Sequence, residues 1–184
     1  MEWNSPMNLQ SVEFTCGYCG KVVAARAGYV SNEAQRSIRI CPHCARPTYF
    51  DSGAKLQIPG VAPGSEVGSL PVDVGALYRE ARNCIAASSH TAAVLACRKL
   101  LMHLAVAQGA TEGESFVKYV DYLADKGYIP PNGRAWVDLI RTRGNEANHE
   151  IKIMGKGDAE EVIVFVEMLL KFMFEFPGRI PKAK

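Results

Sequence analysis

The chain has 184 residues, which is enough for one ordinary domain and one small module but not for two full-sized domains. Its formal net charge of +2 excludes a globally basic nucleic-acid-binding surface, so any such surface must be a local patch. The most apolar stretch, residues 162–176, is interrupted by Glu167 and Lys171 and is shorter than the about 20 apolar residues of a membrane span. Because the first residues also lack a secretory signal pattern, we expect a cytoplasmic protein without membrane contact.

Two Cys-x-x-Cys pairs stand out in the N-terminal third, Cys16 with Cys19 and Cys41 with Cys44. Two thiolates three positions apart reach one ion from a tight turn, and a second such turn completes a tetrahedral shell. Short β-prone pieces surround the pairs, at residues 12–14, 21–24, 37–40 and 48–50. The pattern predicts a zinc ribbon in residues 1–55, with a structural Zn²⁺ held by these four cysteines.

The residues leave some alternatives open for this ribbon. A redox dithiol would need only one pair beside a βαβ pattern, which is missing. His43 could replace one cysteine as a ligand, although a residue inside such a turn usually points outward. Charged residues of both signs surround the pairs, so the sequence does not decide between nucleic acid and protein as a partner. They are Arg26, Arg36, Arg39 and Arg46 with Glu13, Glu33 and Asp51.

The remainder of the chain is predicted to be helical after a linker at residues 56–72, where two Pro-Gly pairs exclude a continuous helix. Apolar periodicity in residues 73–184 predicts five helices, at about 73–88, 91–108, 114–126, 133–151 and 158–175. Cys84 and Cys97 lie in apolar runs and are expected to be buried as small hydrophobes. The predicted fold class is mainly α, a five-helix bundle preceded by a small β zinc ribbon.

The last predicted helix is apolar on nearly all sides, with Glu167, Lys171 and Glu175 as one thin polar stripe. Such a helix is either central to a bundle or half-buried by a partner chain. We expect a homodimer through this region.

The fourth predicted helix carries the polar residues that could perform chemistry. At 100° per residue, Trp136 and Ile140 lie on its core side. An arginine, two amides and an imidazole follow one another on the adjoining polar face, whereas Arg143 falls on the opposite side. The four on the polar face are Arg141, Asn145, Asn148 and His149.

Residues 143–149, Arg-Gly-Asn-Glu-Ala-Asn-His, resemble the Arg-x₄₋₆-His signature of the HEPN superfamily (higher eukaryotes and prokaryotes nucleotide-binding). Residues 70–177 look more closely like a bacterial HEPN-like family of unknown function from defence and restriction contexts. The residues that carry this likeness are Leu70-Pro71, the run 92–101, Ile140-Arg141, the block 144–149 and Phe176-Pro177. The resemblance implies that the five helices form a HEPN-like bundle. In active HEPN ribonucleases, an arginine and a histidine of two protomers meet at a dimer cleft and cleave RNA without metal.

Carried over by position, the histidine is His149, which could act as general acid or base, and the polar helper is Asn145. The arginine is Arg141 by the narrower family's pattern, which we prefer, or Arg143 by the superfamily spacing. Arg98 and Asn148 are further candidates for contacting nucleic acid or a partner. Many relatives carry a glutamate where this chain has Met102.

These observations lead to two functional hypotheses. In the first, the chain is a non-catalytic or weakly catalytic dimeric module that binds RNA or a larger effector protein in a bacterial defence-type system. In the alternative, it is a metal-independent endoribonuclease that uses Arg141 and His149.

Overall fold

A computed structural model describes residues 2–32, 35–130, 136, 138–140, 142 and 153–180. The chain divides into two compact units. The first comprises residues 1–62 together with 86–88, and the second comprises residues 63–85 together with 89–184.

The first unit is built on one antiparallel sheet of five strands in the order β1-β2-β3-β4-β5. Each strand pairs with the next one along the chain. The strands are β1 (Met7–Thr15), β2 (Val22–Val30), β3 (Arg36–Ile40), β4 (Pro47–Asp51) and β5 (Leu56–Ile58).

Alternation along the strands separates a small core from solvent. In β2, Val23 and Ala25 are buried whereas their neighbours along the strand are exposed, as the period of two in a strand requires. Phe14 of β1 lies opposite Val23, and its ring meets the ring of Phe50 edge to face with centroids 4.9 Å apart. This core is small, as expected for a unit of this size.

The Arg39 side chain is hydrogen-bonded to the backbone of the sheet and does not point freely into solvent. The register of β1 against β2 shifts between Asn8 and Val12. From β3, the Arg39 guanidinium donates to the carbonyl oxygen of Gln10 at 2.6 Å and to that of Ala25 at 3.3 Å. The bulge therefore leaves a carbonyl group that this arginine satisfies.

The second unit is helical. Its helices are α1 (Val72–Ala86), α2 (His90–Ala107), α3 (Phe116–Asp125), α4 (Lys156–Leu170) and α5 (Phe176–Arg179), with a π-helical turn at Lys171–Glu175 between the last two. Residues 136, 138–140 and 142 are also helical. Among the described residues, no helix combines the length and apolarity needed to cross a membrane.

The core of this unit lies mainly between α2 and α4, where Leu101, Leu104, Phe165 and Leu169 are fully buried. Two sequence predictions are confirmed here. Ile140 is buried and Trp136 packs against Phe165 with ring centroids 5.7 Å apart, so both lie on the core side. The two cysteines outside the Cys-x-x-Cys pairs are free, one buried and one half-buried, as expected of small hydrophobes; they are Cys97 and Cys84.

The segment at residues 63–70 is hydrogen-bonded to the helices that follow it. The Glu167 carboxylate of α4 accepts the backbone N–H of Ser65 at 3.0 Å. Arg82 of α1 donates two hydrogen bonds to carbonyl oxygens of the same segment, at 2.8 and 2.9 Å. A guanidinium and a carboxylate thus hold this stretch of backbone.

The predicted fold class, a mainly α five-helix HEPN-like bundle preceded by a small β ribbon, is wrong. The N-terminal unit is a five-stranded sheet in which β1 and β2 have nine residues each, and helices follow it. Residues 7–11 and 25–30 contain polar residues, alanine and glycine, so their own propensity for strands is weak. They become strands because they pair with neighbours that lie far along the chain.

Candidate metal centre

The four cysteines of the two Cys-x-x-Cys pairs lie together in the first unit. Their Sγ atoms are all within 4.8 Å of one another. Cys16 Sγ lies 3.7 Å from Cys44 Sγ, and Cys19 Sγ lies 3.9 Å from Cys41 Sγ. Sulfurs about 2.3 Å from one Zn²⁺ form a tetrahedron with edges of about 3.8 Å. The four residues therefore fit a single tetrahedral metal ion, and the sulfurs are too far apart for disulfides.

The first Cys-x-x-Cys turn, between β1 and β2, is closed by two backbone hydrogen bonds. Cys16 N donates to the carbonyl of Lys21 at 2.9 Å, and Gly20 N donates to the carbonyl of Cys16 at 2.8 Å. Gly20 has a φ of 67°, which glycine adopts without strain. Gly17 is needed for a different reason: a Cβ there would lie 2.4 Å from the carbonyl oxygen of Pro59.

The second turn, between β3 and β4, repeats this geometry. Cys41 N donates to the carbonyl of Arg46 at 3.0 Å, and Ala45 N donates to the carbonyl of Cys41 at 2.9 Å. Ala45, at the position of Gly20, has a φ of 56°. The two turns thus place Lys21 and Arg46 at equivalent positions in their backbones.

The thiols differ in their pKa values. Burial would raise the pKa of Cys16, but the backbone N–H groups of Cys19 and Tyr18 outweigh it and lower this pKa to about 7. Burial, together with the neighbouring cysteines, raises the pKa of Cys44 to about 12. A bound cation would offset the mutual repulsion of four thiolates.

His43, the alternative ligand, is exposed and does not belong to the cluster of four thiols. The four arginines of this unit also separate into two groups. Arg39 is bonded inside the sheet, and Arg36 forms an ion pair with Asp51 at 3.0 Å. Arg26 and Arg46 are exposed and have no carboxylate partner within the described part of the chain.

Two aromatic residues beside the second turn were not predicted as functional. The Trp3 indole N–H donates to the carbonyl oxygen of Ala45 at 2.8 Å. The Arg46 Cζ lies 5.1 Å from the centroid of the Tyr18 ring, and Tyr18 is 46% exposed. The sequence could have pointed to Tyr18, because it stands between the candidate ligands Cys16 and Cys19. Nothing in the sequence indicated the role of Trp3, because 42 positions separate it from its hydrogen-bond partner Ala45.

Comparison with known proteins places the second unit in a family. A family model, Domain of unknown function (DUF4145), matches residues 79–183, which is more than half of the chain. The chain belongs to the DUF4145 family. No curated protein and no solved structure matches it. The match confirms the expectation of a domain of unknown function. The HEPN relationship and the defence setting stay predictions. The cysteine cluster precedes the DUF4145 match and is a separate feature of the chain.

The structure places one of the residues predicted for the DUF4145 domain. Arg98 of α2 is half-buried, with its Cζ 4.3 Å from the centroid of the Phe116 ring. Burial lowers the pKa of this guanidinium. The remaining predicted residues lie outside the described part of the chain and stay predictions; they are Arg141, Arg143, Asn145, Asn148 and His149.

Proposed function

We propose that this protein is a non-catalytic, homodimeric binding module in which a structural Zn²⁺ holds the N-terminal unit together and that unit binds nucleic acid. One observation carries the proposal, the four Sγ atoms within 4.8 Å of one another at distances that suit a tetrahedral ion. With four thiolates around the ion, no open position remains for catalysis at the metal. The cytoplasmic location and the bacterial defence-type setting belong to the same proposal.

Nucleic acid is the favoured ligand because of the charges near the metal. From residue 14 to residue 50 there is one carboxylate, Glu33. The cations of that stretch are Lys21, Arg26, Arg36, Arg39 and Arg46. Three of them, at positions 21, 26 and 46, are exposed and form no ion pair with a described residue. Unpaired cations on one small unit are the local patch that phosphate binding requires.

The test combines metal content with binding. We expect one Zn²⁺ per chain by mass spectrometry of metals, and gel-shift binding of RNA or single-stranded DNA. Cys41→Ser should lose both the metal and the binding. Cys84→Ser is the matched control, because it changes a thiol outside the cluster and should keep both. Nucleic-acid binding that survives complete loss of zinc would contradict the proposal.

The homodimer has support from an exposed apolar stripe at the C-terminal end of the DUF4145 domain. Val164, Phe172 and Phe176 are each 44–47% exposed, and they line a groove of about 340 Å³ with Met168 and the ion pair of Glu167 and Lys171. Phe172 and Phe176 meet edge to face at 5.3 Å. A mostly apolar surface with an ion pair at its edge is typical of an interface, and a second copy is its proposed occupant.

A metal-independent endoribonuclease is the second candidate. Ile140 is buried and Trp136 packs against the core, which supports the helical wheel that predicts Arg141, Asn145 and His149 on one face. In this reaction the RNA 2′-hydroxyl would attack the adjacent phosphorus and expel the 5′-oxygen, leaving a 2′,3′-cyclic phosphate. His149 would transfer the proton, and Arg141 would stabilise the charge on the phosphoryl oxygens.

End-labelled RNA distinguishes the two candidates. Cleavage that persists in EDTA, leaves cyclic-phosphate ends and disappears in His149→Ala and Arg141→Ala would establish the ribonuclease. Arg143→Ala is the matched control, because it removes the same charge from the opposite side of the predicted wheel. No cleavage by folded wild-type protein supports the binding module.

A further inference from the structure

A group of side chains at the metal end of the first unit combines aromatic rings with cations. We call it the knuckle patch, and it consists of Trp3, Tyr18, Lys21, His43 and Arg46. All are exposed except Trp3, which is half-buried. In the described part of the chain, none of its cations is paired with a carboxylate.

The two rings of the knuckle patch contact consecutive residues, Trp3 through Ala45 and Tyr18 through Arg46. Trp3 is fixed by its hydrogen bond to the carbonyl of Ala45, and the next residue, Arg46, extends over the Tyr18 ring. Tyr29 holds the N-terminal residues as well, because its hydroxyl donates to the carbonyl of Asn4 at 2.5 Å. The rings are therefore positioned before any ligand binds, which lowers the entropic cost of stacking.

The cations of the patch suit a phosphate backbone. Lys21 and Arg46 occupy equivalent positions in the two Cys-x-x-Cys turns, where the carbonyl of each accepts the N–H of the first cysteine, and both are exposed. A planar guanidinium on an aromatic face can stack with a base and still donate to a phosphate. Bases in a duplex have no free faces for such stacking, whereas every base of a single strand has one.

We propose that the knuckle patch binds single-stranded nucleic acid, with a base stacked on the Tyr18–Arg46 pair and phosphates bound by Lys21 and Arg46. This inference rests on the proposed function and names the ligand and the residues of the same unit. RNA and DNA both offer stacking bases and phosphates. The patch should therefore distinguish single strands from duplexes but not RNA from DNA.

The experiment is fluorescence anisotropy with zinc-loaded full-length protein and fluorescein-labelled oligouridylate and oligothymidylate of about 12 nucleotides. A duplex of the same length is the third probe. We expect both single strands to bind more tightly than the duplex. Tyr18→Ala and Arg46→Ala should each weaken single-strand binding by at least about 5-fold, the lower end of what one lost stacked base costs. Arg26→Ala is the charge-matched control and should weaken it less.

Zinc content and conservative variants separate a ligand-binding role from a structural one. Tyr18→Phe should keep both zinc and binding, whereas Arg46→Lys should keep zinc and bind more weakly, because it retains charge but not the planar group. In a Trp136→Phe background, the remaining indole, Trp3, should report binding through a change in fluorescence.

Each outcome has one meaning. Failure of wild-type protein to bind any probe would overturn the proposed function and this inference together. Binding that is unchanged in the Tyr18 and Arg46 variants would overturn the knuckle patch alone. The same conclusion follows if Arg26→Ala is as damaging as Arg46→Ala, or if the duplex binds as tightly as the single strands.

Discussion

The two Cys-x-x-Cys turns differ at one residue in a way that can be tested directly. Gly20 and Ala45 occupy equivalent positions, and both have positive φ values, 67° and 56°. A left-handed conformation costs a residue with a Cβ about 1 kcal/mol or more. Nothing lies within 4 Å of a Cβ built at Gly20, so no steric clash adds to the backbone strain there.

Gly20→Ala should therefore lower the free energy of unfolding of the zinc-loaded first unit by about 1 kcal/mol. Ala45→Gly is the reverse substitution and should raise it by no more than a similar amount, because in both cases the change in strain is partly offset by the freedom of glycine in the unfolded chain. Denaturant titration at saturating zinc measures both. A Gly20→Ala variant as stable as wild type would show that the first turn accepts alanine without strain, as the second turn accepts Ala45, and would contradict the prediction.

Glu167 is the residue whose ionisation should affect stability in acid. Burial would raise its pKa, but Lys171 and the backbone N–H of Ser65 outweigh burial and hold the pKa below its usual value of 4.5. Because the folded-state pKa is depressed, the carboxylate stabilises the fold fully above about pH 4.5 and loses this contribution as the pH falls through the folded pKa.

Glu167→Gln should therefore destabilise the protein near pH 7 and lose that difference near pH 3, since the amide cannot ionise. Thermal unfolding at a series of pH values measures this. Glu160→Gln is the control, because the half-buried Glu160 lies 3.6 Å from the exposed Lys156 in a surface pair, which contributes little. If the stability difference between wild type and Glu167→Gln is the same at every pH, the substitution acts through packing and not through the charge of Glu167.

At the scale of single elements, the apolar stripe on the last helices depends on their irregular geometry. Residues four apart drift around an α-helix of 3.6 residues per turn. The wider π-helical turn at Lys171–Glu175 takes up part of this drift between Met168 and Phe176. The stripe therefore continues across the junction from α4 to α5, which an uninterrupted helix at residues 158–175 did not predict.

Phe172→Glu should disrupt the proposed homodimer, because it places a charge in the middle of this stripe. Size-exclusion chromatography with light scattering should show a dimer for wild type and a monomer for the variant at the same concentration. Val72→Glu is the matched control, since Val72 is 91% exposed at the start of α1. A monomeric wild type, or a Phe172→Glu variant that stays dimeric, would contradict the proposed interface.

Some helices, strands and turns could be predicted from their own residues better than others. The turns around the metal were predictable because the spacing of cysteines is local, and α1 begins at Val72 close to the predicted residue 73. The length of β1 and β2, the hydrogen bonds of Arg39 and the position of Trp3 depend on contacts between distant parts of the chain. Periodicity within a window of one strand or helix carries no information about such contacts.

At the scale of the whole molecule, the two units differ in what stabilises them. The core cluster of the first unit consists of Phe14, Cys16, Val23, Ala25 and Cys41, so two of its five buried residues belong to the four cysteines that could hold a metal ion. The DUF4145 unit instead buries large side chains along several helices, with Leu101, Phe165 and Leu169 among them. The metal should therefore contribute folding free energy to the first unit only.

Removing the metal should unfold the first unit and leave the second folded. Hydrogen exchange after chelation should show lost protection in β1 to β4 and retained protection in α2 and α4, with helical circular dichroism nearly unchanged. Cys41→Ser should give the same pattern without chelator, and added zinc should restore protection in the wild type but not in that variant. Helices that lose protection together with the sheet would show that the two units fold as one. If the sheet keeps its protection without metal, its small hydrophobic core is sufficient to keep it folded. The proposal that the ion has a structural role would then be wrong.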